Sequence, residues 1–208
     1  YIHVDCPCCK NKRLFDLLAS GFGLLFLAPL LLLIALAVKL ETPGPVFFRQ
    51  ERVGRGGQTF RIHKFRSMVA DAERHGPQIT VGKDARVTEV GAVLRRYKLD
   101  ELAQLIDVFF GDMSFVGPRP EVPKYVSYYS EDDRNIIFSV RPGITDWASI
   151  NFKDENDILA KAIDPHIAYV EEIIPIKIEY YRDYVNNNSF FSDIRIIIKT
   201  MRAVAKSG

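Results

Sequence analysis

From Leu17 to Val38 the chain runs for twenty-two residues without a charge, and Ser20 is the one polar side chain among them. At a helical rise of about 1.5 Å per residue this is about 33 Å, enough to cross the hydrocarbon core of a bilayer. The run is too long for a cleaved signal peptide, and Val38-Lys39-Leu40-Glu41-Thr42 at its end is no small-residue cleavage site. Pro29 falls past mid-run, where it removes a donor and crowds the carbonyl of Leu25, so a kink or break is expected there. Both flanks are basic, with Lys10, Lys12 and Arg13 before and Lys39, Arg49, Arg52 and Arg55 after. A spanning helix would put one cluster on the wrong side by the positive-inside rule, whereas a re-entrant hairpin returns both to the cytoplasmic face. A kinked single-pass anchor fits the same pattern. The residues alone leave the two open.

Thr42-Pro43-Gly44-Pro45 closes this segment with turn chemistry. Pro45 to Arg52 and Gln58 to Phe65 then read as two short strands around the turn Gly54-Arg55-Gly56-Gly57. Lys64 and Arg66, at the end of the second strand, have the look of a solvated edge. Asp71 to Gly82 is a polar surface segment, and helical pattern resumes from about Val87. Leu99, Leu102, Leu105, Ile106 and Phe109 recur at helical spacing and stop at Gly111, a C-cap. Beyond Trp147 the chain is mostly helical. Ser189 to Lys206 sets Phe190, Phe191, Ile194, Ile197, Ile198, Met201 and Val204 against Arg195, Lys199, Arg202 and Lys206. A helix lying in the membrane interface and a helix packed on a core both look like this.

At 208 residues the chain fits one domain with an appendage. The net charge of +2 hides an asymmetry: residues 1 to 70 carry ten Lys/Arg against four Asp/Glu. Basic charge beside the most apolar segment points to an anionic membrane surface. Nucleic acid is set aside, because aromatic and basic residues are not interleaved in an RNA-binding pattern. Cys6, Cys8 and Cys9 lie beside His3 with no second ligand pair further along, which argues against zinc and for a reduced tail.

The candidate chemistry is concentrated between Leu94 and Pro120. An adjacent carboxylate pair, Asp100-Glu101, follows Arg95, Arg96 and Lys98 and falls off the apolar stripe, free to face a cleft. Carboxylates that work on phosphates need cations nearby, since nucleophile and substrate otherwise repel. A helix start would add partial positive charge. Gly117-Pro118-Arg119-Pro120 holds an arginine between two prolines, a fork suited to bidentate phosphate binding. Arg141-Pro142-Gly143 repeats the device less strictly, and Arg141 joins the phosphate-binding candidates. The pattern describes a phosphoryl-transfer site.

At these residues the chain resembles the monotopic phosphoglycosyl transferases, a bacterial sugar transferase family that starts lipid-linked glycan assembly. The likeness runs from about Lys12 to Gly208. Its blocks are Lys12-Arg13-Leu14-Phe15-Asp16, Gly44-Pro45-Val46-Phe47-Phe48-Arg49-Gln50, Lys64-Phe65-Arg66-Ser67-Met68, Leu99-Asp100-Glu101-Leu102 and Gly111 through Pro120. The resemblance implies a mostly helical α/β fold. Residues 1–11 would form a tail and 12–41 a re-entrant membrane helix broken at Pro29. Residues 42–208 would form a cytosolic, membrane-associated catalytic domain with a short β-hairpin and amphipathic interfacial helices. The chain would be close to the minimal catalytic core, monotopic on the cytoplasmic face of the bacterial inner membrane.

The resemblance further implies a Mg²⁺-dependent transfer of a sugar phosphate from a UDP-sugar to a polyprenyl (undecaprenyl) phosphate, with release of UMP. Asp100 lands on the family's nucleophile and Glu101 on an assisting or metal-side position, so both are metal candidates. Lys64, Arg95 and Arg119 match positions near phosphate groups. Membrane lipid is the further partner, with self-association into a homo-oligomer left open. The chain departs from the family pattern at Ala28, where Ser commonly precedes the proline. It departs again after Thr145, where Asp146-Trp147-Ala148-Ser149-Ile150-Asn151-Phe152-Lys153 leads into the acidic Asp154-Glu155-Asn156-Asp157. The sugar is therefore not named by the sequence. Two alternatives stand beside this reading: a non-catalytic, membrane-anchored scaffold of a glycan assembly complex, and direct transfer in a ternary complex with Asp100 only holding metal.

Overall fold

The computed structural model describes residues 7–72, 84–152 and 155–207. The cysteine tail through Cys6, most of the polar segment Asp71 to Gly82, and Asp154 fall outside them. The first element, α1 (Pro7–Glu41), is a single long helix. Helical structure runs through Pro29 without interruption. The sequence predicts a kink or break at Pro29 and the resemblance implies a break, and the helix does not break there. A proline already holds a helical φ and forfeits one hydrogen bond, a loss that a long helix can absorb. From Asn11 to Glu41 α1 is long and apolar enough to cross a membrane, and only 11% of its most apolar stretch is buried. Phe22, Leu25, Phe26, Leu32, Leu33 and Leu40 all point outward. A soluble core helix would bury such a face.

The two ends of α1 are keyed to the rest of the chain by charge. At its start, Lys12 donates to the Val116 carbonyl, the Tyr184 hydroxyl and Asp193 (2.8, 2.7 and 2.5 Å). Arg13 donates to the carbonyls of Val108 and Phe109. At its end, Arg66 donates to the carbonyls of Val38, Thr42 and Pro43 and so satisfies acceptors that a helix C-terminus leaves open. Arg66 is 5% exposed. The solvated-edge reading of Arg66 is thus corrected: the strand end lies under α1, not in water.

Strands β1 (Phe47–Val53) and β2 (Thr59–Phe65) pair antiparallel with Gln50 opposite Ile62 and Phe48 opposite Lys64, close to the expected hairpin. Helix α2 (Glu89–Arg96) follows, N-capped by Thr88. The dyad segment Leu99–Gln104 is then a 3₁₀ helix rather than the start of an α-helix, and only Leu105–Phe110, α3, is α-helical. Leu99, Leu102 and Leu105 are spaced by three, a period that a 3₁₀ helix aligns on one face at least as well as an α-helix does. Lys98 enters the turn with φ +55°, in the left-handed region. Gly111 caps α3 as expected, with φ +98°.

Strands β3 (Ser114–Val116) and β4 (Gly143–Thr145) pair in parallel and bring the two proline-arginine loops side by side. Gly143 N donates to the Pro118 carbonyl at 3.0 Å and Gly117 N to the Thr145 carbonyl at 3.1 Å. A Cβ on Gly143 would lie 2.1 Å from the Gly117 nitrogen, so only glycine permits this approach. The rest of the fold is helical: α4 (Pro123–Val126), α5 (Glu131–Ile137), α6 (Trp147–Asn151), α7 (Glu155–Ala160), α8 (Pro165–Ala168), a π-helical turn at Tyr169–Ile173, α9 (Ile174–Asn187) and α10 (Phe190–Ser207). Their core gathers Tyr125, Leu159, Tyr169, Ile173 and Tyr181. In α10 the buried residues are Asp193 and Ile196, while Phe191, Ile198 and Met201 stay exposed. Core packing and an outward apolar face thus coexist on one helix.

Candidate active site

A cleft of about 1520 Å³ opens between these elements. Ala19, Gly23 and Leu27 of α1 form part of its wall, with Ile197, Met201 and Val204 of α10. Lys64, Arg95, Asp100, Glu101 and Arg119 line it as well. Five of the candidates read from the sequence therefore share one cavity, and its wall includes the helix expected to meet the membrane.

The two carboxylates live in different environments. Glu101 Oε1 accepts from Arg119 Nη2 at 2.6 Å and from Lys64 Nζ at 2.9 Å. Burial alone would push its carboxyl up, but the Arg119 and Lys64 charges outweigh burial and hold it well below the usual range. Asp100, 8% exposed, has a buried Oδ1 with no hydrogen-bond partner among the described residues. Burial and the charge of Glu101 push its carboxyl up, against the pull of Lys64, Arg95 and Lys98. The sequence expected cations around the dyad. They are present, but two of them are engaged by Glu101.

The cations are positioned by backbone and side-chain contacts of their own. Arg95 leaves the last turn of α2 and donates through Nε to Ser67 Oγ at 2.8 Å. Lys64 is pulled by burial below its ordinary value, partly offset by Glu101. Arg119 is raised by Glu101. Arg52 Nη1 donates to the Pro120 carbonyl at 2.9 Å and fixes the Pro-Arg-Pro loop from behind. Sequence reasoning had counted Arg52 only as basic charge after the apolar run. A register signal was available, since Arg52 lies on the same β-hairpin as Lys64.

Arg141 does not join the group. Its Nε donates to the Gly111 carbonyl at 2.8 Å, at the C-cap of α3, and it is not among the residues that line the cleft. The sequence placed it among the phosphate ligands because its loop mirrors that of Arg119. In the fold the β3–β4 pairing leaves the Arg141 side chain to brace a helix end.

The residues present fit a magnesium ion in one respect and limit it in another. The orphaned Asp100 Oδ1 is the kind of acceptor a hard cation takes. Glu101 is already committed to Arg119 and Lys64, and the described residues contain no cluster of three His, Cys, Asp or Glu. Mg²⁺ commonly keeps water and substrate phosphates among its ligands and needs few protein donors.

In the same cavity is a second polar group that sequence reasoning missed. Tyr169 Oη donates to Glu121 Oε1 at 2.7 Å, Lys177 Nζ lies 3.3 Å from Tyr169 Oη, and Glu155 Oε2 is 2.5 Å from Lys177 Nζ. Glu121 follows Pro120 directly, which is the one signal the sequence offered.

The site is a dyad of unequal carboxylates among cations, beside an apolar helix. The family model described as bacterial sugar transferase matches residues 9–207, and the chain belongs to that family. It is 42% identical over 198 residues to the UDP-N-acetylgalactosamine-undecaprenyl-phosphate N-acetylgalactosaminephosphotransferase of Aeromonas hydrophila, covering 93% of this chain and 43% of that protein. It is 41% identical over 194 residues to the UDP-glucose:undecaprenyl-phosphate glucose-1-phosphate transferase of Escherichia coli, covering 91% of this chain and 39% of that protein. A protein of the same name from Caulobacter vibrioides is 37% identical over 196 residues, 92% of this chain and 68% of that one. The chain thus spans less than half the length of the first two relatives.

Proposed function

We propose that the protein transfers a sugar 1-phosphate from a UDP-sugar to a polyprenyl phosphate at a membrane surface, through a covalent phosphosugar on Asp100. The observation that carries this is the inequality of the dyad: Glu101 Oε1 bonded by both Arg119 and Lys64, Asp100 buried with an unpartnered oxygen in the same cleft. The named activities of the relatives support the substrate class.

Arg119 and Lys64 orient the diphosphate through charge, with Glu101 holding both in place until substrate arrives. Arg95 offsets the charge of Asp100. The Asp100 carboxylate attacks the phosphorus that bears the sugar, the bond from that phosphorus to the bridging oxygen breaks, and UMP leaves. A polyprenyl phosphate oxygen then attacks the same phosphorus, and breaking its bond to Asp100 restores the carboxylate. Asp100 is the residue that would hold a magnesium ion, which would neutralise charge on the diphosphate. The apolar wall given by Ala19, Gly23 and Leu27 suits a lipid acceptor.

The test is wild-type protein with Mg²⁺ and a UDP-sugar but no lipid. About one UMP per site should appear, with the sugar phosphate retained on the peptide containing Asp100. UMP release only after polyprenyl phosphate is added would replace the covalent route by direct transfer. No UMP under either condition would leave the scaffold reading.

The same reading places α1 in the membrane without crossing it, both ends on the cytoplasmic face, supported by basic residues at both ends. Exposed Asn11 and Lys39, each changed to Cys in a background with Cys6, Cys8 and Cys9 replaced by Ser, should label from the cytoplasm only. Periplasmic labelling at Asn11 would make α1 a spanning helix.

A further inference from the structure

The proposed reaction leaves one polar group in the cleft without a task. Glu121, Tyr169 and Lys177 are 6%, 4% and 4% exposed, yet all three line the cavity together with Glu155 and Tyr125. The group is a connected chain: Glu121 accepts from Tyr169, Lys177 reaches the Tyr169 hydroxyl, and Glu155 pairs with Lys177. It offers two carboxylates, an ammonium and a phenol in one place. The Tyr125 ring meets the Tyr169 ring edge-on, with centroids 4.8 Å apart.

We infer that this group is the subsite for the sugar of the UDP-sugar and that it sets which hexose is accepted. The inference rests on the reaction proposed above. Its first support is position. Glu121 is two residues from Arg119, so their Cα atoms are within about 7 Å. In the proposed reaction Arg119 holds the diphosphate, and the sugar hangs directly on the attacked phosphorus, whereas the nucleoside lies one phosphate further away. The ring therefore falls beside the phosphate cations, where Glu121 is.

The second support is chemistry. A hexose presents hydroxyls that donate and accept, plus C–H faces that pack on aromatic rings. Carboxylates next to an ammonium and a phenol answer the hydroxyls, and the Tyr125 edge offers an apolar surface. Uracil would instead call for a flat slot and a few neutral partners. A buried polar network also discriminates strongly, because a sugar with a displaced hydroxyl leaves one of its members unpaired.

Arg52 links this group to the phosphate end. Its Nη1 fixes the Pro120 carbonyl between Arg119 and Glu121. A sugar that seats well can thereby align the phosphorus against Asp100.

The experiment uses the full chain in a bilayer mimic with UDP-glucose, UDP-galactose, UDP-N-acetylglucosamine and UDP-N-acetylgalactosamine, and compares Tyr169→Phe and Glu155→Gln with wild type. Tyr169→Phe removes only a hydroxyl, and Glu155 is the most exposed member of the group at 26%, so both variants are chosen to fold. The ratio of kcat/KM between the preferred sugar and its C4 epimer should fall by about tenfold, the scale of one lost hydrogen bond in a buried site. Inhibition constants of UDP and UMP should move by less than about twofold, since neither carries the transferred hexose. Parallel weakening of UDP and UMP would assign the group to the nucleoside and overturn the inference. Equal losses for all four sugars would make it a structural network and overturn it as well. If wild type transfers none of the sugars, the proposed reaction falls, and calorimetric binding decides the subsite alone. Tighter binding of one UDP-sugar than of UDP, lost in Tyr169→Phe, upholds the subsite, and its absence rejects it.

Discussion

The loops Gly117-Pro118-Arg119-Pro120 and Arg141-Pro142-Gly143 look like two copies of one device, and the fold uses them for opposite purposes. They lie side by side through β3 and β4 and exchange backbone hydrogen bonds. Arg119 turns into the cleft and grips Glu101, while Arg141 turns away and holds the Gly111 carbonyl. Proline restricts where an arginine can be, but what the arginine meets depends on elements far away in sequence. For Arg119 those are the 3₁₀ turn and β2. For Arg141 it is the end of α3.

The sharpest way to separate the regions is to disable the chemistry at one of them and measure what survives. Asp100→Asn keeps the shape of the dyad and removes the attacking charge. Turnover should fall by about 10⁴ or more, the usual cost of a core catalytic group. UMP release under single-turnover conditions measures it. A loss of tenfold or less would mean that Asp100 does not attack.

The paired arginine variants come next. Arg119→Lys keeps a charge but loses the fork, so turnover should fall by about 10²-fold with a small change in melting temperature. Arg141→Met should do the reverse. It removes a charge-assisted bond to a helix-capping carbonyl, worth about 1–3 kcal/mol, so melting should drop by several degrees. Activity per folded molecule should stay within a few-fold. If Arg141→Met lost activity without losing stability, the two loops would be functional equals after all.

Much of this was legible in the sequence, and the misses have physical causes. The hairpin showed because alternation and its glycine turn are local, and the α1 run showed because lack of charge needs no context. Asp100 and Glu101 were found as a pair, but their inequality was not. It comes from Lys64 and Arg119, 37 and 18 residues from Glu101 in sequence, choosing the same oxygen. Lys64 and Arg66 had the look of a solvated edge beside the phosphate role that the resemblance gave Lys64; Arg66 is buried and Lys64 half-buried, because α1 and the dyad turn close over the strand end. The stripe expected on α10 omitted Ile196, its most buried residue, because the outward face is also apolar. The group around Lys177 draws on four separate elements, and no local pattern announces it.

The smallest expected effect comes from the carboxylate pair that the Arg119 loop grips. Burial raises Asp100 above its ordinary value of 3.8, with Glu101 adding to the rise. A raised acid binds its proton more tightly in the folded state. Its contribution to stability is present below the unfolded value and is lost as pH climbs through the folded one. Glu101 is held low and works the other way: its contribution is present at neutral pH and fades only in strong acid. Asp100→Asn removes the burdened group while leaving Glu101 in place. Its melting temperature should therefore exceed that of wild type at pH 7, by an amount on the order of a few degrees, and the gap should close toward about pH 4. Arg141→Met removes a bond to the Gly111 carbonyl, an acceptor that does not titrate, so that part of its deficit should persist at both ends of that range. A lower melting temperature for Asp100→Asn at pH 7 would mean that Lys64, Arg95 and Lys98 outweigh burial at that carboxylate.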